Sequence, residues 1–146
     1  MNLLVDGVAQ KAVAETGRKQ KLLIDGHYED FGIYRIRLDL LYFNDQNDRI
    51  ATDISRYNAS HPHNLISGVQ HDAQYNALIH SFIVKSNEAR LKTTQRNIQL
   101  YGQTNPGVVL ADGRVIDGNR RFACLRNIQE STGAEQYFEA SILEHT

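Results

Sequence analysis

The sequence predicts a mixed α+β fold, a small mixed sheet with helices packed on it, and three observations carry that prediction. Short runs such as Ile33-Tyr34-Arg35-Ile36-Arg37-Leu38, which alternates apolar with basic, and Val108-Val109-Leu110 read as strands. Elsewhere apolar residues recur at spacings near three and four, the period of a helix with one buried face. At 146 residues, 41% apolar and 23% charged, the chain has the length and balance of one globular unit. One compact unit is expected.

Taken in order, residues 3–23 mix apolar residues with Lys and Arg at spacings that suit a short helix, with Gly7 and Gly17 against it. Asp25-Gly26 signals a turn into the strand at residues 33–38. Tyr42 to Ile50 is rich in Asn and Asp, whose side chains bond nearby backbone, and reads as a loop. Residues 51–68, polar and broken by Pro62 and Gly68, read as a long irregular connection. From about 69 to 84, Ala73, Ala77, Leu78, Ile79, Phe82 and Ile83 predict a helix. A second helix follows, with Ser86 as its cap, Glu88 in its first turn, Leu91, Ile98 and Leu100 on its apolar side, and Gly102 as its end. Then come a hairpin across Asp112-Gly113, between Val108-Val109-Leu110 and Val115-Ile116, a helix carrying Phe122, Ala123, Leu125 and Ile128, and a strand from Tyr137 to Leu143.

Composition removes several classes of function. A lone cysteine, Cys124, cannot make an internal disulfide or a thiolate metal site by itself. Net charge is −1, so contact with polyanions must come from local clusters: Arg114, Arg120, Arg121 and Arg126, or Arg90, Lys92 and Arg96. No apolar run has the length of a bilayer span and the first residues lack the pattern of a signal peptide, so a cytoplasmic chain without a membrane partner is expected. Walker and Rossmann glycine loops are absent.

The run that carries chemistry is Asp117-Gly118-Asn119-Arg120-Arg121, between a strand and a helix. Gly118 permits close backbone approach, the first helical turn offers unpaired N–H groups, and the helix dipole favours an anion there. Arg120 and Arg121 add planar donor forks suited to phosphate. Neighbouring helical residues point about 100° apart, so one arginine can meet an anion while the other pairs with an acidic neighbour. The competing reading is an ordinary capped helix, with Asp117 or Asn119 as the cap and both arginines solvated or salt-bridged.

Gly118-Asn119-Arg120-Arg121-Phe122-Ala123 resembles the Gly-x-Arg-Arg box of ParB-type N-terminal domains, in the ParB/sulfiredoxin-like superfamily. Asn47-Asp48-Arg49 is similar to that family's Asn-Pro-Arg segment, and Gly102-Gln103-Thr104-Asn105-Pro106 to its Gly-x-x-x-Pro segment before a strand. The three boxes stand in the family's order across residues 33–144, which the resemblance makes the core of a single domain, with residues 1–32 as an N-terminal extension. The resemblance implies a ParB/sulfiredoxin-like fold and a pocket for a nucleoside triphosphate, CTP or ATP, or for nucleic-acid phosphate, in a DNA-related process. It implies phosphate contacts from Gly118, Asn119, Arg120 and Arg121, support from Asn47 and Arg49, and a pocket wall from Gly102, Gln103, Thr104 and Pro106. ParB proteins usually carry Glu where this chain has Asn119 and a further arginine where it has Ala123. Sulfiredoxins place their catalytic cysteine in the corresponding turn, which has none here, so reductase activity is not expected and Cys124 reads as a small buried residue.

Asp117 is the candidate ligand for Mg²⁺ entering with a triphosphate, because magnesium is held by one or two carboxylates plus phosphates. Asp112 reads as turn chemistry, and His61, His63 and His71 as ordinary loop and surface residues. Arg90, Lys92 and Arg96 form either a solvated helix face or a basic surface toward nucleic acid. Tyr42 and Phe43 read as core, with base stacking as the alternative. No general base stands out, which leaves three functional readings open: nucleotide binding with or without hydrolysis, a metal-dependent nuclease, or a non-catalytic interaction module. DNA and a second copy of the chain are the further partners considered.

Overall fold

The computed structural model of the chain describes residues 2–46, 48–63, 65–66 and 73–144, with backbone only at 48 and 49. Its five strands are β1 (Val13–Ile24), β2 (His27–Arg37), β3 (Gly107–Leu110), β4 (Val115–Asp117) and β5 (Tyr137–Leu143). Its helices are α1 (Asp48–Ser60), α2 (Ala73–Ser86), α3 (Glu88–Tyr101) and α4 (Asn119–Thr132). The strands form one mixed sheet in the order β1-β2-β5-β3-β4, parallel only between β3 and β5. The expected α+β class, helices on a small mixed sheet, is what the chain adopts.

Two tight turns set the hairpins. Asp25 and Gly26 both take positive φ, 51° and 79°, which matches the right-handed twist of β1 and β2 and pairs Ile24 with His27. In the β3–β4 hairpin, Asp112 accepts a bond from the Arg114 N–H at 3.0 Å, the turn chemistry read from the sequence. The parallel pairing of β3 and β5 needs a crossover, and α4 supplies it.

The helix expected over residues 3–23 is instead a single helical turn, Leu3–Gly7, followed by β1. Pairing with β2 decided that outcome, and Gly17 (φ 79°) serves as the glycine of an irregularity between Glu15 and Lys19. The hairpin curls over the reverse face of the sheet. There Gln20 donates to the Gly107 carbonyl (3.0 Å) and the Ser141 hydroxyl (2.9 Å), and Arg18 pairs with Glu139 at 2.6 Å.

The irregular connection expected over residues 51–68 is also corrected, because α1 occupies Asp48–Ser60. Its apolar stripe is only Ile50, Ile54 and Tyr57, spaced four and three apart, and the core completes the burial that the polar composition concealed. The helix stops two residues before Pro62, as the backbone restriction ahead of proline favours. The predicted helix start at 69 falls outside the described residues. Helix α3 is capped by the Asn87 side chain, which accepts from the Arg90 N–H at 3.0 Å, and not by Ser86, whose hydroxyl donates to the Ile83 carbonyl. Gly102 ends α3 with φ 76°, as expected, whereas Leu100 is 66% exposed and not on the buried side.

Three fully buried phenylalanines tie the layers together. Phe43 packs on Phe122 (ring centroids 4.5 Å apart), and Phe122 packs toward Phe138 of β5 (6.1 Å). Since Phe122 lies in the first turn of α4, this stack pins the start of that helix to the sheet.

Candidate functional site

The turn predicted to carry the chemistry runs from β4 through Gly118 (φ 116°, ψ 21°) directly into α4. Its glycine is required by packing. A Cβ there would come within 2.7 Å of the Phe138 ring, so close packing against the core excludes any larger residue. No side chain caps α4. Neither Asp117 nor Asn119 therefore plays the capping part of the competing reading, whose other part, a salt-bridged arginine, is met by Arg121 at 4.0 Å from Asp117. The first backbone N–H groups of α4 face the end of β4, with the positive end of the helix dipole behind them.

Asn119 and Arg121 are occupied in holding loops. The Asn119 amide makes two bonds to the backbone of Asn44, accepting from its N–H at 3.2 Å and donating to its carbonyl at 2.9 Å. Arg121 Nη1 donates to the carbonyls of Asn105 (2.9 Å) and Pro106 (3.1 Å), and Arg121 Nη2 lies 4.0 Å from Asp117. Gln103 exchanges two bonds with the backbone of Glu139 (2.7 and 2.8 Å), extending the edge of β5 beyond the start of β3. Arg120 differs from these: among the described residues its side chain makes no hydrogen bond or ion pair. Of the division expected for the two arginines, the structure gives one half: Arg121 approaches the acidic Asp117, although its hydrogen bonds go to carbonyls.

Together these elements wall a cleft of about 730 Å³, a volume within the range of small-molecule sites. Asp117, Gly118, Asn119, Arg120, Arg121, Gln103 and Thr104 all line it. Gly102 and Pro106 do not: Gly102 serves as the C-cap of α3, and Pro106 contributes its carbonyl to Arg121. Asn47 lies outside the described residues, and Arg49 is described only as backbone in α1.

Of the Arg90, Lys92 and Arg96 cluster only Arg90 faces the cleft, and sequence reasoning missed the rest of the opposite wall: Thr93, Thr94 and Asn97 of α3, joined by Asn44 and Gln46, with Asn105 of the quoted segment beside them. The spacing of three, four and seven from Arg90 puts the four α3 residues on one helix face, a signal present in the sequence but indistinguishable there from a solvated face. Asp117 is the one carboxylate among the described lining residues, and its side chain is 66% exposed. Among the described residues no group of three or more His, Cys, Asp or Glu side chains converges, so a metal held here would need most of its ligands from elsewhere.

The other candidates lie elsewhere. Phe43 is fully buried, and Tyr42 lines a separate cavity of about 650 Å³ beside His80 and Arg126, so neither presents a ring to the cleft. In that second cavity Arg126 donates to the Asn76 carbonyl (3.0 Å) and approaches His80 Nδ1 at 3.3 Å. Burial, then the neighbouring Arg126 charge, pushes the His80 pKa down. Cys124 is buried, its Sγ 3.5 Å from the Leu91 carbonyl, and burial pushes its pKa up to about 12, in keeping with the inert role read from the sequence. His61 stacks on Tyr57 at 4.0 Å, and His71 falls outside the described residues. Among the described residues no helix is long and apolar enough to cross a membrane. No family model, no curated protein and no solved structure matches the chain.

Proposed function

We propose that the chain is a ParB-like domain that binds the phosphates of a nucleoside triphosphate at the start of α4, with Arg120 as the principal cation. One observation carries this reading. Arg120, without a partner among the described residues, shares a polar cleft with an uncapped helix N-terminus, while its neighbours Asn119 and Arg121 spend their side chains holding the cleft walls. An anion there gains backbone N–H donors, the helix dipole and a planar guanidinium together.

The order of the three sequence boxes supports the family reading, with Asn119 and Arg121 acting as positioning residues. Asp117 at the rim suits Mg²⁺ arriving with the triphosphate, where the cation would offset the repulsion between carboxylate and phosphate. Hydrolysis would then rest on neutralising charge developing on the phosphoryl oxygens.

The test is titration of CTP, ATP and GTP with Mg²⁺, with and without DNA, on wild type and Arg120→Ala. Binding that falls about 10- to 100-fold in the variant, the loss of one or two charge-assisted hydrogen bonds, is the expected result. Absence of binding by every nucleotide would overturn the proposal.

A further inference from the structure

Resting on the phosphate-binding reading above, the geometry points to a more specific property: the cleft recognises the phosphates and sugar of its ligand, ignores the base, and uses Arg90 of α3 as a second phosphate-holding cation. Three observations lead there.

The first is the absence of a stacking surface. No aromatic ring lines the cleft among the described residues: Phe122, next to Arg121 in sequence, and Phe43 lie in the core, and Tyr42 lines another cavity. Stacking on an aromatic ring strengthens binding by about 10- to 100-fold per base where it occurs. That contribution is missing here.

The second concerns base edges. Discrimination by hydrogen bonding requires fixed, desolvated polar groups that a wrong base leaves unpaired. The amides of Gln103 and Asn119 are already spent on backbone. Gln46, Asn97 and Asn105 are exposed, so a mismatched base would leave them bonded to water at little cost.

The third is the placement of charge. Arg90 lies one turn into α3, exposed, and makes no side-chain hydrogen bond or ion pair among the described residues. It faces the same cleft as Arg120, which lies on a different helix. From Arg90 to Asn97 the lining face of α3 runs about 10 Å along the helix axis, long enough to follow a chain of linked phosphates from the α4 terminus toward a sugar. On that face Thr94 presents a hydroxyl of the kind that pairs with sugar oxygens, while the Thr93 hydroxyl, which donates to the Ala89 carbonyl at 3.1 Å, can still accept.

The test measures the affinities of ATP, CTP, GTP and UTP, and of inorganic tripolyphosphate, each with Mg²⁺, on wild type, Arg90→Ala and Arg90→Lys. The four nucleotides are expected to bind within about threefold of one another, tripolyphosphate to compete with them, and Arg90→Ala to weaken all four alike by about tenfold. Arg90→Lys should recover part of that loss, because lysine keeps the charge but not the fork. Thermal melting of both variants at the wild-type temperature would show that the fold is intact. A preference of tenfold or more for one base overturns base indifference, and unchanged affinity in Arg90→Ala overturns the role of Arg90; in either case phosphate binding itself stands. If wild type binds none of the five probes, the phosphate-binding reading fails and this inference fails with it.

Discussion

Replacing Arg121 with alanine separates the two arginines of the motif, because only one of them holds the fold together. Arg121 donates from one nitrogen to two consecutive carbonyls, at 2.9 and 3.1 Å, and a quarter of its side chain is exposed. A hydrogen bond from a charged donor contributes about 1.5–3 kcal/mol, and sharing and partial exposure place this pair near the lower end, at about 2 kcal/mol. The contact with Asp117, at 4.0 Å and largely exposed on the carboxylate side, adds little. For a chain of this size each kcal/mol moves the melting temperature by about 2–4 °C, so Arg121→Ala should melt about 4–8 °C below wild type. Arg120→Ala should stay within about 0.5 kcal/mol of wild type, because that half-buried side chain makes no hydrogen bond or ion pair among the described residues. Thermal melts followed by far-UV circular dichroism, paired with nucleotide titration, read both effects. The expected pattern is loss of binding without loss of stability for Arg120→Ala, and loss of both for Arg121→Ala. Equal destabilisation by the two substitutions, or a wild-type melt for Arg121→Ala, would refute the division of roles.

Further outcomes follow from the same geometry. Gly118→Ala combines a left-handed φ of 116° with a Cβ driven against the Phe138 ring, and should cost about 2–5 kcal/mol in urea denaturation; a cost under about 1 kcal/mol would show that the turn relaxes freely. Burial and the adjacent Arg126 lower the pKa of His80 below its ordinary 6.5, while Asn127 and Glu130 oppose them. The unfolded chain then binds more protons, so the stability present above pH 6.5 should fall as pH drops toward the depressed value, and His80→Gln should flatten that slope in melts between pH 7.5 and 5. Cys124, buried and with its pKa raised to about 12, should react with a thiol reagent such as DTNB only at the rate of unfolding. Rapid labelling under native conditions would contradict that.

The parts of the fold legible in the sequence were those that local chemistry settles. Asp25-Gly26 and Asp112-Gly113 mark turns because few residues accept their backbone angles, Gly102 ends a helix for the same reason, and the strand over Tyr137–Leu143 was read to the residue. The two misread elements, β1 and α1, share a different cause. Each has a sparse apolar pattern, and each is completed from outside itself: by the adjoining β2 and by Gly107 and Ser141, far off in sequence, for the strand, and by the common core for Ile50, Ile54 and Tyr57 of the helix. Propensity is a weak guide when tertiary burial supplies most of the stability.

The site divides along the same line. By itself the sequence determined that a glycine and two adjacent arginines stand at the head of a helix, the arrangement on which the phosphate-binding proposal rests. Only the tertiary structure decided which groups are available to a ligand. It drew Asn119 to Asn44 and Arg121 to the carbonyls of Asn105 and Pro106, left Arg120 without a partner among the described residues, and brought Arg90 across from another helix. Those outcomes depend on contacts between residues up to 75 positions apart, and no local pattern encodes which of two adjacent arginines will find a carbonyl within reach.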